Sequence, residues 1–146
     1  MTEGNTMSDF VTYRGAILPW HCDHMGHMNV MWYVGKFDEA TWNLFAHIGL
    51  SPSYFRGEPF GIAGVQQNIR YQHELMAGDV IEIRSHLVDA RERRIQFIHT
   101  MRNAETDQIA STCDLTTVHF DRRVRKACPF PEAVRVAAER LIRSNP

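Results

Sequence analysis

The chain has 146 residues and a mass of 16.9 kDa, enough for one domain that buries a real core without disulfide staples. Apolar residues make up 44% and charged residues 23%, an ordinary globular balance that excludes disordered, collagen-like and low-complexity classes. A formal net charge of −1 gives no general reason to expect nucleic acid or an acidic membrane as partner.

Met1 to Asp9 is polar, with neither a basic n-region nor an apolar h-region, so it reads as a loose tail and not a signal peptide. One domain over 10–146 is expected to follow. Phe10 to Leu18 is β-rich and ends at Pro19. A dense polar loop runs from Trp20 to Met28, and Asn29 is placed to cap a helix. Val30, Tyr33, Val34, Phe37, Ala40, Thr41, Leu44, Phe45 and Ile48 then recur at helical spacing. Gly49 suits the helix stop, and Pro52 is expected to prevent resumption. With Met31, Trp32 and Trp42 added, this helix of about 18 residues is apolar well round its cylinder and is expected to be buried on most sides.

Ser51 to Gly61 reads as a Gly/Pro-rich loop. Four strand candidates follow: Ile62 to Gln72, Val80 to Val88, Ile95 to Arg102 and Ile109 to Phe120. Turns at Ala77-Gly78-Asp79 and Arg91-Glu92-Arg93, and a polar loop over Asn103 to Gln108, separate them. Glu132 to Arg143 reads as a surface helix with Val134, Ala137, Ala138 and Leu141 inward. Short connections between successive strands make an antiparallel sheet. A helix this apolar must lie on the sheet's inner face, so the layout is α+β: a curled antiparallel sheet wrapped around one long helix, plus a C-terminal helix. An open sheet edge favours dimerisation.

Cys22, Cys113 and Cys128 form no C-x-x-C pair, and no window approaches ~18 apolar residues, so neither a disulfide framework nor a membrane span is expected. A reduced cytoplasmic setting is the default. The sequence has no G-x-S-x-G elbow, no phosphate-binding glycine loop and no H-E-x-x-H. What remains is His21-Cys22-Asp23-His24-Met25-Gly26-His27-Met28-Asn29, directly before the helix. Three readings compete. His21, Cys22, His24 and His27 are competent metal ligands, although no second pair completes a zinc set. The loop is alternatively a structural one with incidental histidines. As a catalytic loop it offers Asp23 as nucleophile or general base beside helix-start N–H groups that suit an oxyanion.

Asp23-His24-Met25-Gly26-His27-Met28-Asn29-Val30-Met31-Trp32-Tyr33 resembles the D-x-x-G-H-[VM]-N-N-x-x-Y signature of hotdog-fold acyl-CoA thioesterases of the 4-hydroxybenzoyl-CoA thioesterase-like family. The likeness spans residues 10–126 in layout and includes Phe37-Asp38-Glu39-Ala40. Two departures stand out: Val30 replaces the second Asn, and Thr41 stands where Arg is common. The resemblance implies a dimer or tetramer with active sites at the subunit interface. It implies that Asp23 attacks the thioester carbon or activates water, and that Val30 supplies the oxyanion N–H. His24 and His27 then orient substrate or move protons, His27 having a structural reading as well. Asn29, Trp32, Tyr33 and Glu39 complete the substrate-binding set, with Asn29 also the helix cap and Glu39 a partner across the interface.

Residues 1–90 carry five basic and ten acidic side chains, and residues 91–146 carry eleven and seven. Fourteen of the sixteen basic residues are Arg, whose planar fork suits phosphate. Arg91, Arg93 and Arg94 at one turn, and Arg122, Arg123, Arg125 and Lys126 after the last strand, are candidates for the phosphates of coenzyme A, or plain solvated faces. Coenzyme A enters with the substrate, and no metal or other cofactor is expected. The aromatic residues leave aryl, short acyl and trimethylammonium-bearing acyl groups open. A non-catalytic acyl-CoA-binding or interaction module on the same scaffold is the alternative.

Overall fold

The computed structural model describes residues 9–144. The expected tail over 1–9 therefore lies outside the described residues except for Asp9, whose carboxylate meets Arg84 Nη1 at 3.2 Å. The elements in chain order are β1 (Phe10–Ala16), α1 (Val30–His47), α2 (Pro52–Gly57), β2 (Phe60–Tyr71), β3 (Val80–Ala90), β4 (Arg94–Asn103), β5 (Ile109–Asp121), β6 (Lys126–Ala127) and α3 (Glu132–Arg143).

One antiparallel sheet has the order β1-β3-β4-β5-β2, with β6 added to the end of β5. Period-2 alternation turns Ile81, Ile83, Leu87, Ile95, Phe97, Met101, Cys113 and Leu115 to one face, where all are buried. That face curls round α1, the central helix, and the whole is the hotdog fold anticipated from the sequence.

Asn29 caps α1 by accepting the Met31 N–H at 3.0 Å. Tyr33, Phe37, Ala40, Leu44 and Phe45 form its buried stripe. The expectation of burial on most sides is corrected: in the single chain, Met31 is 63% exposed and Trp42 46%, along with Val30 and Val34. Gly49, at φ +103°, ends the helix in the left-handed conformation that glycine adopts at little cost.

The loop expected over Ser51 to Gly61 instead contains α2. Ser51 caps it through Oγ, and Pro52 occupies the first turn, where its missing N–H is no loss. The strands also run slightly longer than alternation alone marks, and β6 is an addition to the expected set.

A buried polar chain pins α1 to the sheet. Thr12 Oγ1 lies 2.7 Å from Ser85 Oγ, which lies 2.5 Å from His99 Nδ1. His99 Nε2 lies 2.9 Å from Thr41 Oγ1, and that hydroxyl donates to Phe37 O at 3.0 Å. Thr41 Oγ1 gives its proton to Phe37 O, so it accepts from His99 Nε2, and a neutral ring with its proton on Nε2 satisfies the chain. Burial pushes the His99 pKa down to about 3, in keeping with that state.

Candidate active site

The polar loop is a compact turn pinned at both ends. Cys22 bridges to Met28, Asp23 N–H donates to His27 O at 3.1 Å, and Gly26 N–H donates to Asp23 O at 3.0 Å. Gly26 takes φ +91°, which the tight reversal requires. Asn29 N–H donates to His21 O, and Met28 N–H donates to Leu75 O, tying the loop to the chain just beyond β2.

Asp23 is held by two donors. Its Oδ1 accepts the Met25 N–H at 2.9 Å, and its Oδ2 accepts Asn29 Nδ2 at 2.9 Å. The Asn29 amide, then the Met25 N–H, hold the carboxyl below its ordinary pKa. The group is therefore an ionised carboxylate at neutral pH, competent as base or nucleophile and not as an acid. Both ends of the Asn29 amide are engaged, one with Asp23 and one with the helix. Met31 N–H goes to Asn29 Oδ1 and Trp32 N–H to Asn29 O, leaving Val30 N–H as the leading donor of α1.

The remaining predicted residues divide. His24 is exposed beside Asp23. His27 is half-buried, its Nε2 3.3 Å from Glu74 Oε2 and its Nδ1 3.4 Å from Met28 O. Trp32 packs on His21 at 4.5 Å between ring centroids. Tyr33 is buried edge-to-face against Tyr71 at 5.1 Å, and burial pushes its hydroxyl pKa up to about 12. Glu39 is exposed and lies nine residues from Val30, about 13 Å along the helix, so the single chain does not bring it to Asp23. His21 turns inward, its Nδ1 accepting the Leu18 N–H at 2.9 Å. Among the described residues, no three His, Cys, Asp or Glu side chains are placed to hold a metal.

Sequence spacing missed Tyr71 at the end of β2, and His73 and Glu74 just beyond it, which the chain brings to the loop. With His27, Val30 and Tyr33 they enclose a cleft of about 210 Å³ at the mouth of α1. The only advance signal was the unusual cluster of polar and aromatic residues at the end of a strand.

The two Arg groups converge at the other end of the sheet. Arg94 pairs with Val118, His119 N–H donates to Arg93 O at 3.0 Å, and Arg123 sits on Asp121 at the end of the same strand. Arg91, Arg93 and Arg94 border a cleft of about 530 Å³ with Gln96 and Thr116. Arg91 is bound to Asp89 at 2.8 Å, Arg123 to Asp121 at 2.8 Å, and Arg122 to the carbonyls of Glu58 and Pro59. Arg125 and Lys126 are exposed. Tyr71 pairs with Ser111 and Phe60 with Asp121, so β5 separates the Asp23 end from the Arg end by roughly 30 Å.

This fold and loop define a class, the hotdog-fold thioester hydrolases. The model of the thioesterase-like superfamily matches residues 17–138, and the chain belongs to that family of acyl-CoA thioesterases. A betainyl-CoA thioesterase of Pseudomonas aeruginosa is 24% identical over 134 residues, covering 92% of this chain and 84% of that protein. A Staphylococcus aureus protein solved in complex with CoA superposes with a TM-score of 0.88 at 19% identity, over 98% of this chain and 90% of that one. A 1,4-dihydroxy-2-naphthoyl-CoA thioesterase from Synechocystis superposes with a TM-score of 0.79 at 18% identity, over 89% and 95%. Among the described residues, no helix is long and apolar enough to cross a membrane.

Proposed function

We propose that the chain hydrolyses a small acyl-CoA thioester at Asp23, giving a carboxylate and free coenzyme A. The observation that carries this is the ionised Asp23 carboxylate, fixed by Asn29 and Met25 at the open end of α1. The thioester oxygen sits on Val30 N–H, where the helix dipole favours developing negative charge. Asp23 either takes a proton from the attacking water or attacks the carbonyl carbon itself. In the second route water then cleaves the mixed anhydride. Both routes release the thiol and need only the ionised carboxylate. No metal or redox cofactor takes part, and coenzyme A arrives with the substrate.

The complete site needs a second copy. Strand β2 is a sheet edge of twelve residues whose middle, Gly64 to Asn68, is exposed. Such an edge is a template for pairing. Antiparallel pairing of two β2 strands sets the Tyr71 end of one subunit beside the Phe60 end of the other. That brings the Asp23 loop of one copy to the Arg end of its neighbour, closing the separation that a single chain leaves. Arg91, Arg93, Arg94, Arg122, Arg123, Arg125 and Lys126 are then available to the phosphates of coenzyme A. The homo-oligomer is at least a dimer, and Glu39 on the outer side of α1 belongs to its interface.

The likeness to a betainyl-CoA thioesterase makes a betaine-type acyl group the leading substrate, with small aryl groups next. Three free cysteines suit a reducing cytoplasm. The test is a panel of aromatic, short-chain and betaine-type acyl-CoA thioesters followed by thiol release. Turnover of at least one at kcat/KM of ~10⁴ M⁻¹s⁻¹ or above is expected. Ligand-induced thermal stabilisation with no thiol release from any of them overturns the proposal in favour of a binding module.

A further inference from the structure

The cleft at the mouth of α1 has a chemistry of its own. It is about 210 Å³, below the range of roughly 300–1,000 Å³ typical of drug-sized sites, a size that suits a small acyl group. Val30 lines it. A thioester whose oxygen rests on Val30 N–H has this space beside it for its acyl substituent. Its walls carry the Tyr33 and Tyr71 rings in edge-to-face contact at 5.1 Å, and the Glu74 carboxylate, but no Lys or Arg. Glu74 has His27 Nε2 at 3.3 Å and keeps 67% of its side chain exposed, leaving carboxylate oxygen free for a further charge. The exposed Tyr71 ring beside one carboxylate, with no Lys or Arg among the lining residues, gives the cleft a negative face.

Resting on the hydrolase reading above, we infer that this cleft is a specificity pocket for an acyl group bearing a quaternary ammonium, with the exposed Tyr71 ring as its aromatic wall, Tyr33 packed behind that ring, and Glu74 as its counter-charge. A neutral aryl group gains nothing from Glu74, and a carboxylate-bearing acyl group is repelled by it. Tyr33 is buried and rigid, while Tyr71 is half-exposed at the end of β2 and can settle on the methyl groups. The pocket thus selects by charge, which distinguishes it from a hydrophobic slot of the same volume.

The experiment compares trimethylammonioacetyl-CoA with 3,3-dimethylbutanoyl-CoA, its neutral carbon isostere, by thiol release from the full chain. The wild type is expected to favour the cation by roughly tenfold or more in kcat/KM. In Glu74→Gln and in Tyr71→Leu the ratio between the two substrates falls roughly threefold to thirtyfold, while Tyr71→Phe keeps it. Raising the salt concentration lowers the preference in the wild type more than in Glu74→Gln. Equal use of the two thioesters, a preference for the isostere, or an unchanged ratio in both variants overturns the inference and leaves the hydrolase reading standing. Thiol release from neither, with other acyl-CoA thioesters cleaved, does the same. Thiol release from no thioester at all removes both.

Discussion

Asn29 performs two tasks with one amide, and substitutions separate them. Its Oδ1 caps α1 through Met31 N–H, and its Nδ2 holds Asp23 Oδ2. In Asn29→Ala both are lost. The missing cap costs about 1 kcal/mol, within a range of roughly 0.5–2. For a chain of this size that lowers Tm by about 3–4 °C per kcal/mol. Asn29→Ser restores a capping oxygen but offers Asp23 nothing at the former distance, so its Tm stays within about 2 °C of wild type. In activity the two variants behave alike. Asp23 loses its principal fixed donor, its pKa rises toward the ordinary carboxylate value, and kcat/KM falls roughly ten- to hundredfold through loss of orientation. The acid limb of the kcat/KM profile moves to higher pH in both. The sign for stability follows from the depressed native pKa. Asp23 stabilises the fold above the ordinary carboxylate range of about pH 4, and that contribution is lost as pH falls through the native value. The assays are thermal melting and thiol release from pH 3 to 8. An Asn29→Ser enzyme with wild-type kcat/KM and an unmoved acid limb refutes the positioning role. Equal melting losses in the Ala and Ser variants refute the capping role.

Two further outcomes follow from the fold. His99 is neutral in the native state, with a pKa near 3 set by burial, against about 6.5 unfolded. Its contribution to stability is complete above pH 6.5 and is lost as pH falls toward 3, with a slope of up to ~1.4 kcal/mol per pH unit. Denaturant titrations of His99→Gln are expected to show a lower stability at pH 7, by roughly 2–4 kcal/mol, and a shallower pH dependence between pH 6.5 and 4. A variant with the wild-type slope contradicts the neutral, buried ring. For the edge strand, Val65→Lys puts a charge on an exposed position of β2. Sedimentation is expected to show weakened self-association, with thiol release falling in parallel; full activity in a monomeric species contradicts the two-subunit site.

The parts of the fold legible from the sequence are those that a local pattern decides. Helix α1 shows in its 3.6-residue spacing and its caps at Asn29 and Gly49, and β3 shows in strict alternation. Helix α2 is hidden in the sequence because Pro52 reads as a breaker, although at the first turn a proline fits. The breadth of the apolar surface on α1 was also legible, but its meaning was not. Val30, Met31, Val34 and Trp42 are exposed in the single chain, and a one-chain reading cannot distinguish a core face from an assembly face. At the site, Asp23 and Asn29 stand six residues apart, and their density in one loop marked them. Glu74 reaches His27 only because Met28 N–H pairs with Leu75 O, a contact across 47 residues that no local spacing encodes. The approach of the Arg91 to Arg94 turn to the end of β5 is likewise a product of strand pairing.

The central claim is that Asp23 carries the reaction, and Asp23→Asn tests it most directly. The substitution is nearly isosteric, and its amide oxygen still accepts one of the two donors that hold the carboxylate. The account predicts an unchanged melting profile within about 2 °C, retained binding of coenzyme A, and a fall in kcat of roughly 10²- to 10⁴-fold on the best thioester of the panel. A folded Asp23→Asn enzyme that releases thiol within about threefold of the wild-type rate contradicts it, since no general base or nucleophile with so small an effect accounts for hydrolysis.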